Sequence, residues 1–557
     1  MHMKKRLLFI ATLMAMTLAA VAQTPTALWG KAVQGTLGTK VTSQGYDMKL
    51  AQDGGIYICG GVGTKTVDDI VRFGNEQIAA PATPFFGNGD VGNQSLFISK
   101  IAADGTPQWT VYSKNGHVLS ANTFLQPVSD GLVAVIGIGH VSKMASKSII
   151  IVGADGQESD LQWALATDNA TRYNRFVVLK LSKQGVVQWL RQIDANPVKD
   201  QGLSLCGILT DEGGNIFLAG EQRADLYFPK ADGTQQTVAA ARSADFFLVK
   251  LDKNGYYQSH LMMEGDLTEA KVRAVQRANG HLYLMGTLTG ADGVQAVLGG
   301  KALTLTNSYS APFIASVNSD LSVNWAQATA SDGQNFNMQQ SSLWVTDNTV
   351  WLAGMASVAV TAKSGKSLKI GENMNRVGTL LKFDAANGDL VDGYLKPVFQ
   401  TAYFSMFEDV DGYIYAAGYE GMLSNRRPNN GALYIDKFNP ADLSAPLVTW
   451  DNLIQNVGGG QTILGDADGR IFTMTRSNAV PNALTDGTQS IVQDYAGYCC
   501  NICAFQLPVK PVVAGISPVT AESGKNGSAW YTLQGQRVER PTTKGLYIQG
   551  GRKVVVK

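Results

Sequence analysis

The sequence predicts an all-β fold: a closed ring of seven four-stranded units, followed by a small C-terminal β module. Three observations predict it. A short motif of turn, apolar run and glycine recurs about seven times. A second motif, in which two strands flank a polar turn and the second carries an aromatic, follows it repeatedly. Apolar runs of four to seven residues are bounded by Gly, Asn and Asp, and amphipathic helical periodicity is nearly absent. Such runs read as strands.

The first motif reads Asp-Gly-Gly-Ile-Tyr-Ile-Cys-Gly at 53–60, with counterparts at 212–220, 279–286, 347–354 and 411–418. Looser copies occupy 130–139 and 468–473. The second motif spans 97–109, 177–189, 247–259 and 313–325, and ends on Trp109, Trp189 and Trp325 in three of the four. Markers at Asp53, Asp130, Glu212, Asn279, Asp347, Asp411 and Asp468 recur about every 69 residues. That exceeds the roughly 40–45 residues of a common four-stranded repeat. The excess lies between the two motifs, in inserts with β-patterned runs of their own at 66–73, 148–152 and 301–306. Each module yields four strands; in the third they are expected at 205–210, 215–219, 246–251 and 256–262. The Asp-Gly and Asn-Gly pairs between them favour tight hairpins.

A lone four-stranded sheet cannot bury both of its faces, so the units must pack side by side and the ring must close. The seventh module supplies strands at 461–464, 470–475 and 502–507, after which Pro508 and Pro511 break the pattern. It lacks a fourth strand. Residues 27–33 look like that strand, with Trp29 in the place of Trp109, Trp189, Trp325 and Trp450. Closure by the N-terminal strand would remove the exposed edges of an open array. One aromatic per unit at a fixed offset is what packing between units requires, and the tryptophans are read that way.

The 557 residues carry 46 Lys and Arg against 45 Asp and Glu, a net charge of +1. This balance argues against a nucleic-acid partner and against binding to an anionic membrane. Lys4, Lys5 and Arg6 precede an apolar stretch at 7–18, and Ala20-Val21-Ala22 offers a cleavage site. Residues 1–22 are therefore expected to be a signal peptide. No later apolar run is long enough to span a bilayer as a helix, so no transmembrane segment is expected after its removal. Five cysteines are present: Cys59 and Cys206 lie in apolar strands and read as buried thiols. Cys499, Cys500 and Cys503 cluster, leaving open a disulfide within the cluster or, from the Cys500-x-x-Cys503 spacing, a zinc pair.

The Phe246–Gly255 stretch, Phe-Phe-Leu-Val-Lys-Leu-Asp-Lys-Asn-Gly, and 176–189 with its terminal Trp189 resemble the repeat of bacterial seven-bladed β-propellers. The resemblance covers about residues 27–507 and implies the fold, since propellers host many functions. The expected propeller domain is 23–507, and 508–528, rich in Pro, Gly and Ser, reads as a linker. Residues 529–557 carry Trp530-Tyr-Thr-Leu-Gln-Gly-Gln-Arg-Val, Lys544-Gly-Leu-Tyr-Ile and Arg552-Lys-Val-Val-Val-Lys. They resemble the C-terminal sorting domain of the type IX secretion system of Bacteroidetes, read here as three strands. That resemblance implies a secretion-machinery partner and a secreted or outer-membrane-surface location, periplasmic if the module is inactive.

No residue set announces chemistry. The histidines (His2, His117, His140, His260 and His281) fall at unrelated offsets, and no His-Glu-x-x-His, G-x-S-x-G or P-loop occurs. Asp409-Val-Asp411-Gly412 and Asp466-Ala-Asp468-Gly469 suggest calcium loops, with Glu420 at the twelfth position from Asp409. However, Tyr413 and Ile414 stand at positions five and six, where a calcium loop needs an oxygen ligand and glycine, so hairpin turns explain both segments. Adjacent Cys499 and Cys500 on a propeller are similar to quinoprotein dehydrogenases, which hold pyrroloquinoline quinone with a vicinal disulfide and calcium. Their usual eight blades are not matched, and no catalytic residue, metal or cofactor is expected. The inserts are longest in the first two modules, so the ligand face is placed there. Phe73, Phe85, Phe86, Trp163 and Tyr173 are its exposed aromatic candidates. The reading is a non-enzymatic recognition scaffold for glycan or protein; the alternative is a secreted lyase or glycosidase, and no carboxylate pair stands out.

Overall fold

The computed structural model describes residues 24–34, 42–63, 71–74, 76–77, 95–114, 117–139, 148–162, 174–195, 204–305, 311–329, 337–357, 359–370, 377–398, 401–420, 431–477, 482–483, 490–491 and 499–507 of one compact unit, 1–507, and Pro508 at the start of a second. In the second unit, 508–557, it describes 530–532, 537–538, 545–549 and 552–556. Residues 1–22, expected to be a signal peptide, lie outside the described set, as do all of 509–529. No helix occurs among the described residues, so none is long and apolar enough to cross a membrane.

The first unit is a seven-bladed β-propeller. Blade 1 is formed by Thr42–Leu50, Ile56–Gly63, Ser95–Ile101 and Pro107–Ser113, paired antiparallel from the inside outwards. Blade 2 uses His117–Val128, Gly131–Gly139, Asn174–Ser182 and Val187–Ala195; blade 3 uses Ser204–Thr210, Ile216–Gln222, Asp245–Leu251 and Tyr257–Gly265. Blades 4 and 5 begin at Glu269 and Asn337 and follow the same order. In blade 6 the strands Ala402–Glu408, Ile414–Glu420 and Gly431–Phe438 pair in turn, and the last pairs with the start of Val448–Gly465. The far end of that long strand opens blade 7, pairing with Arg470–Ser477, which pairs with Cys499–Gln506. First strands of successive blades touch one another around the whole ring and line the central channel.

The recurring glycine of the first motif has a steric cause. Gly60, Gly137, Gly220, Gly286 and Gly418 stand opposite Phe97, Phe176, Phe247, Phe313 and Tyr434 of the third strand. A Cβ on Gly60 would lie 2.6 Å from the Phe97 ring, and one on Gly220 would lie 2.8 Å from Phe247. The aromatic covers the backbone that the glycine leaves bare, a cross-strand pairing that also sets register. On its other side the glycine meets a bulge, present in the first strand of every blade. Side chains at this level tie one blade to the next: Asp47 accepts from Leu125 N at 2.8 Å, and Asn122 from Leu205 N at 2.7 Å.

Strand Thr26–Gln34 pairs antiparallel with Cys499–Gln506 and closes the ring as the outermost strand of blade 7. Its Trp29 shows what the repeated tryptophan does. The ring lies over Gly105 in the third-to-fourth-strand turn of blade 1, and its Nε1 donates to Ala103 O at 2.9 Å. Trp109 repeats this on Gly185 and Lys183 O of blade 2, and Trp325 on Gly388 and Ala385 O of blade 5. The turn glycines have φ of 85°, 78° and 79°, and a Cβ on Gly105 or Gly185 would stand 2.8 Å from the indole. Both the backbone conformation and the space above it therefore demand glycine.

Blade 3 supplies an internal control. Ser259 stands at the tryptophan's offset there, and the facing turn of blade 4 carries Leu321 at φ 71° instead of glycine. Leu321 is buried and packs with Leu298, Leu303 and Val323. Without an indole overhead a side chain fits. Burying it returns about 1.5–3 kcal/mol, which offsets the roughly 1–2 kcal/mol of left-handed strain. Ser259→Trp should therefore destabilise the protein by roughly 1–3 kcal/mol through overpacking, and Leu321→Gly in the same chain should relieve part of that loss. A double-mutant cycle in urea checks this; strictly additive effects would disprove the pairing.

The inserts do something the sequence pattern does not disclose. Those of blades 1 to 4 fold as two-stranded hairpins and add to the outer strand of the preceding blade. Arg72–Phe73 joins blade 7, Ser148–Val152 joins blade 1, Leu226–Pro229 joins blade 2, and Gln295–Leu298 joins blade 3. Arg242 anchors the third of these regions, donating to Asp245 Oδ1 at 2.6 Å and to the carbonyls of Met263 and Gly265. In the second unit the segment read as one strand at 530–538 is a hairpin of Trp530–Thr532 and Arg537–Val538. With Gly545–Gln549 and Arg552–Val556 it makes a four-stranded sheet rather than three strands.

Candidate functional site

The two mouths of the propeller differ. One carries the inserts. The other carries the first-to-second and third-to-fourth-strand turns, whose backbones are capped by their own side chains. Asp409 Oδ1 accepts from Asp411 N and Tyr413 N, and its Oδ2 accepts from Tyr415 Oη at 2.9 Å and pairs with Lys437. Asp466 Oδ1 accepts from Asp468 N and Arg470 N, while Oδ2 pairs with Arg470 Nε at 2.7 Å. The acids of both Asp-x-Asp-Gly segments are thus engaged as turn caps. Among the described residues no group of three or more His, Cys, Asp or Glu could hold a metal ion.

The five cysteines are free thiols in this structure. Cys499, Cys500 and Cys503 share one strand, Cys499–Gln506. Alternation places Cys503 in the core between blades 6 and 7 and Cys500 in the core between blades 7 and 1. The pair at Cys500-x-x-Cys503 therefore cannot offer both sulfurs to one ion. Burial pushes the Cys500 thiol up to about 12 and raises Cys503 further. His260 bonds Tyr257 Oη at 2.7 Å, and His281 bonds Asn318 at 2.9 Å, on different blades.

Acids on the described first strands are Asp47, Glu269 and Glu408, on blades 1, 4 and 6. Each is occupied: Asp47 by Leu125 N and Lys49, Glu269 by Lys271 at 2.6 Å, and Glu408 by Trp344 Nε1 at 3.5 Å. No two lie on adjacent blades. The deepest buried ion pair, Lys396–Asp436 at 2.9 Å, is enclosed by Tyr403, Tyr434 and Thr449 between blades 5 and 6, with Asp436 wholly buried and Lys396 nearly so.

A depression of about 880 Å³ opens on the turn-bearing mouth between blades 2 and 3. Gln126, Asp130, Lys180, Gln188 and Trp189 come from blade 2; Asp211, Glu212, Lys253 and Asn254 come from blade 3; Arg277 comes from blade 4. Asp130 pairs with Lys180 and Glu212 with Arg277, and both carboxylates stand largely exposed at the rim. The Lys180 ammonium holds Asp130 below the usual carboxylate range, and the Arg277 guanidinium does the same for Glu212. Asp211 accepts from Asn215 N at 2.9 Å and from Asn215 Nδ2 at 2.8 Å.

Trp189 is the unusual member. Like its counterparts it rests on a turn glycine, here Gly255. Unlike Trp29, Trp109 and Trp325, its Nε1 donates to no carbonyl of the next blade among the described residues. Arg191 lies beside it, with its guanidinium 5.3 Å from the Trp189 ring and 4.5 Å from Tyr256. The depression therefore holds a half-exposed indole with a spare donor.

The expected ligand face fares differently. Phe73, expected to be exposed, is completely buried, because its insert strand adds to blade 7 and seals it against Trp29 at 6.2 Å. Phe85, Phe86, Trp163 and Tyr173 lie outside the described residues. The depression is on the opposite mouth. Sequence reading treated Trp189 as packing, which it partly is; its unpaired N–H depends on ring placement, which no motif encodes.

Neither a protein-family model nor a curated protein matches the chain. Among solved structures, a protein of unknown function from Dyadobacter fermentans is 11% identical, covering 70% of this chain and 95% of its own, with a TM-score of 0.37. The phage phi92 endosialidase is 11% identical over 91% of this chain and 75% of its own, at 0.35. Polysaccharide lyase Uly1 is 9% identical over 71% and 91%, at 0.33. At these identities and TM-scores no argument about ligand or chemistry passes to this chain.

Depressed carboxyl groups give a signed pH dependence. Their ion pairs contribute fully above the unfolded carboxyl pKa of about 3.9–4.3. The contribution is lost as pH falls through the lower folded values. Asp130→Asn should therefore lose less stability than the wild type between about pH 5 and pH 2, the range in which such pairs are lost. Urea midpoints across that range measure it, and parallel curves would remove the pair's role.

Proposed function

We propose that the protein is an exported, surface-associated propeller acting as a non-enzymatic recognition scaffold for glycan or protein. One observation carries this reading. The carboxylates of the described first strands and at the rim of the depression are engaged by backbone N–H groups, an indole N–H or cations, while an open polar depression with an aromatic wall stands beside them. Glycoside hydrolysis needs two carboxyl groups at set separations, free to exchange a proton or attack. Recognition needs a concave surface with a few convergent polar groups. The test applies the purified full chain to a glycan array and a protein array, and in parallel to polysaccharides assayed for new reducing ends and unsaturated products. Binding without product is expected. Product release would overturn the reading in favour of a secreted carbohydrate-active enzyme.

Export rests on the signal-like residues 1–22 and the sorting-like sequence of 529–557. Deleting 529–557 should leave folded protein in the periplasm, protected from protease added to intact cells. Undiminished surface exposure of the truncated chain would refute the sorting role.

A further inference from the structure

We propose, resting on the recognition reading above, that the depression between blades 2 and 3 binds a neutral oligosaccharide, with Trp189 as its platform and the Trp189 N–H as a donor. Four arguments converge on this class of ligand. First, the indole is a supported surface: Gly255 backs it, and the Arg191 guanidinium packs 5.3 Å from its centre. A ring fixed before binding loses little entropy when a ligand stacks on it. Pyranose rings present a face of C–H groups that matches an aromatic face, while their rims carry hydroxyls. Second, the Nε1 donor is spare where Trp29, Trp109 and Trp325 spend theirs on the next blade. An indole N–H in a concave polar wall gains a partner from a sugar hydroxyl.

Third, the charge balances. Asp130, Asp211 and Glu212 face Lys180, Lys253 and Arg277, and two of the acids are already neutralised by their cations. A polyanionic or polycationic ligand would meet equal attraction and repulsion, so net charge selects neither. Fourth, the remaining polar lining is rich in amides, with Gln52, Gln126, Gln188 and Asn254. An amide both donates and accepts, as a hydroxyl does. An apolar ligand would strip water from these groups without replacing their hydrogen bonds. The volume of about 880 Å³ lies within the roughly 300–1,000 Å³ of small-ligand sites, ample for a short oligosaccharide.

The experiment uses the full chain and a panel of neutral tri- and tetrasaccharides of glucose, galactose, mannose and N-acetylglucosamine, with uronic-acid and sialylated counterparts. Binding is read by array and then by calorimetry on the best neutral probe. Trp189→Ala should weaken it roughly tenfold or more, the loss of about one aromatic contact. Trp189→Phe keeps a ring and removes the donor, and should weaken binding roughly two- to tenfold, the value of one hydrogen bond. Gln188→Ala, at an exposed position outside the packing, serves where Trp189→Ala lowers the melting temperature, and should weaken binding severalfold as about one polar contact. Neutral-glycan binding that survives Trp189→Phe and Gln188→Ala unchanged overturns this site and leaves the recognition reading standing. Capture of only charged glycans, or of only proteins, overturns the ligand class alone. Turnover of any panel member overturns the recognition reading itself.

Discussion

Each blade has two apolar faces, and only its neighbours can cover them; the rest of the structure depends on that constraint. The described core residues accordingly form seven clusters, one for each junction between blades, rather than one central core. An open array would leave two such faces and two strand edges in water. Pairing of Thr26–Gln34 with Cys499–Gln506 removes both at once. The same strand carries Trp29 onto blade 1, so the hydrogen-bonded closure and the apolar closure are made by one segment. The chain's first described strand and its last propeller strand hold the ring shut from opposite ends of the sequence.

The fold was legible because the repeated residues answer to steric needs that recur at each junction. Gly60 and its equivalents mark where a bulged first strand and a third-strand aromatic approach the backbone, and Gly105 and its equivalents mark where an indole lands. Lys100 and Lys180 reach back to the acids that mark the first turn, Asp53 and Asp130, and Lys437 reaches Asp409, two residues before the marker of blade 6. Such exposed pairs contribute little energy, so they signal geometry more than stability. Even the exception is readable, since Ser259 and Leu321 change together. What could not be read was the destination of the inserts. A hairpin's own pattern specifies that it is a hairpin; the strand edge it joins lies in the preceding blade and leaves no local signal. Phe73 was misplaced for this reason.

The candidate site was illegible for a different reason. The repeated motif does not separate Trp189 from Trp109: both stand four residues after a turn glycine, and Arg191, where blade 1 has Val111, is no part of the recurring pattern. The difference lies in what shares the space above the next glycine. A Cβ at Gly185 would meet Cδ2 and Cε3 of Trp109, near the ring fusion. A Cβ at Gly255 would meet Cζ3 and Cη2 of Trp189, the edge that Trp325 also turns to Gly388, but in addition Cγ of Arg191 at 2.8 Å, a neighbour that neither Gly185 nor Gly388 has. Arg191 stands between Trp189 and Tyr256, its guanidinium 5.3 and 4.5 Å from their rings, where blade 1 has Val111 two residues after Trp109. Of Trp29, Trp109, Trp189 and Trp325, Trp189 is the one whose N–H has no carbonyl partner among the described residues.

This gives a physical account of how a packing residue acquires a second role. An inter-blade tryptophan that is fully engaged has neither a free face nor a free donor. A tryptophan that gives up that hydrogen bond keeps its apolar contact, which scales with area, and forfeits a net contribution of about 1 kcal/mol. The cost is small against the stability of a large ring, and it leaves a donor free in a concave wall at the junction of two rigid blades. The first turns of blades 6 and 7, by contrast, are capped by their own Asp409 and Asp466. On the proposed reading, a ligand is met where one junction leaves its indole donor unspent, beside Arg191, rather than by added catalytic groups.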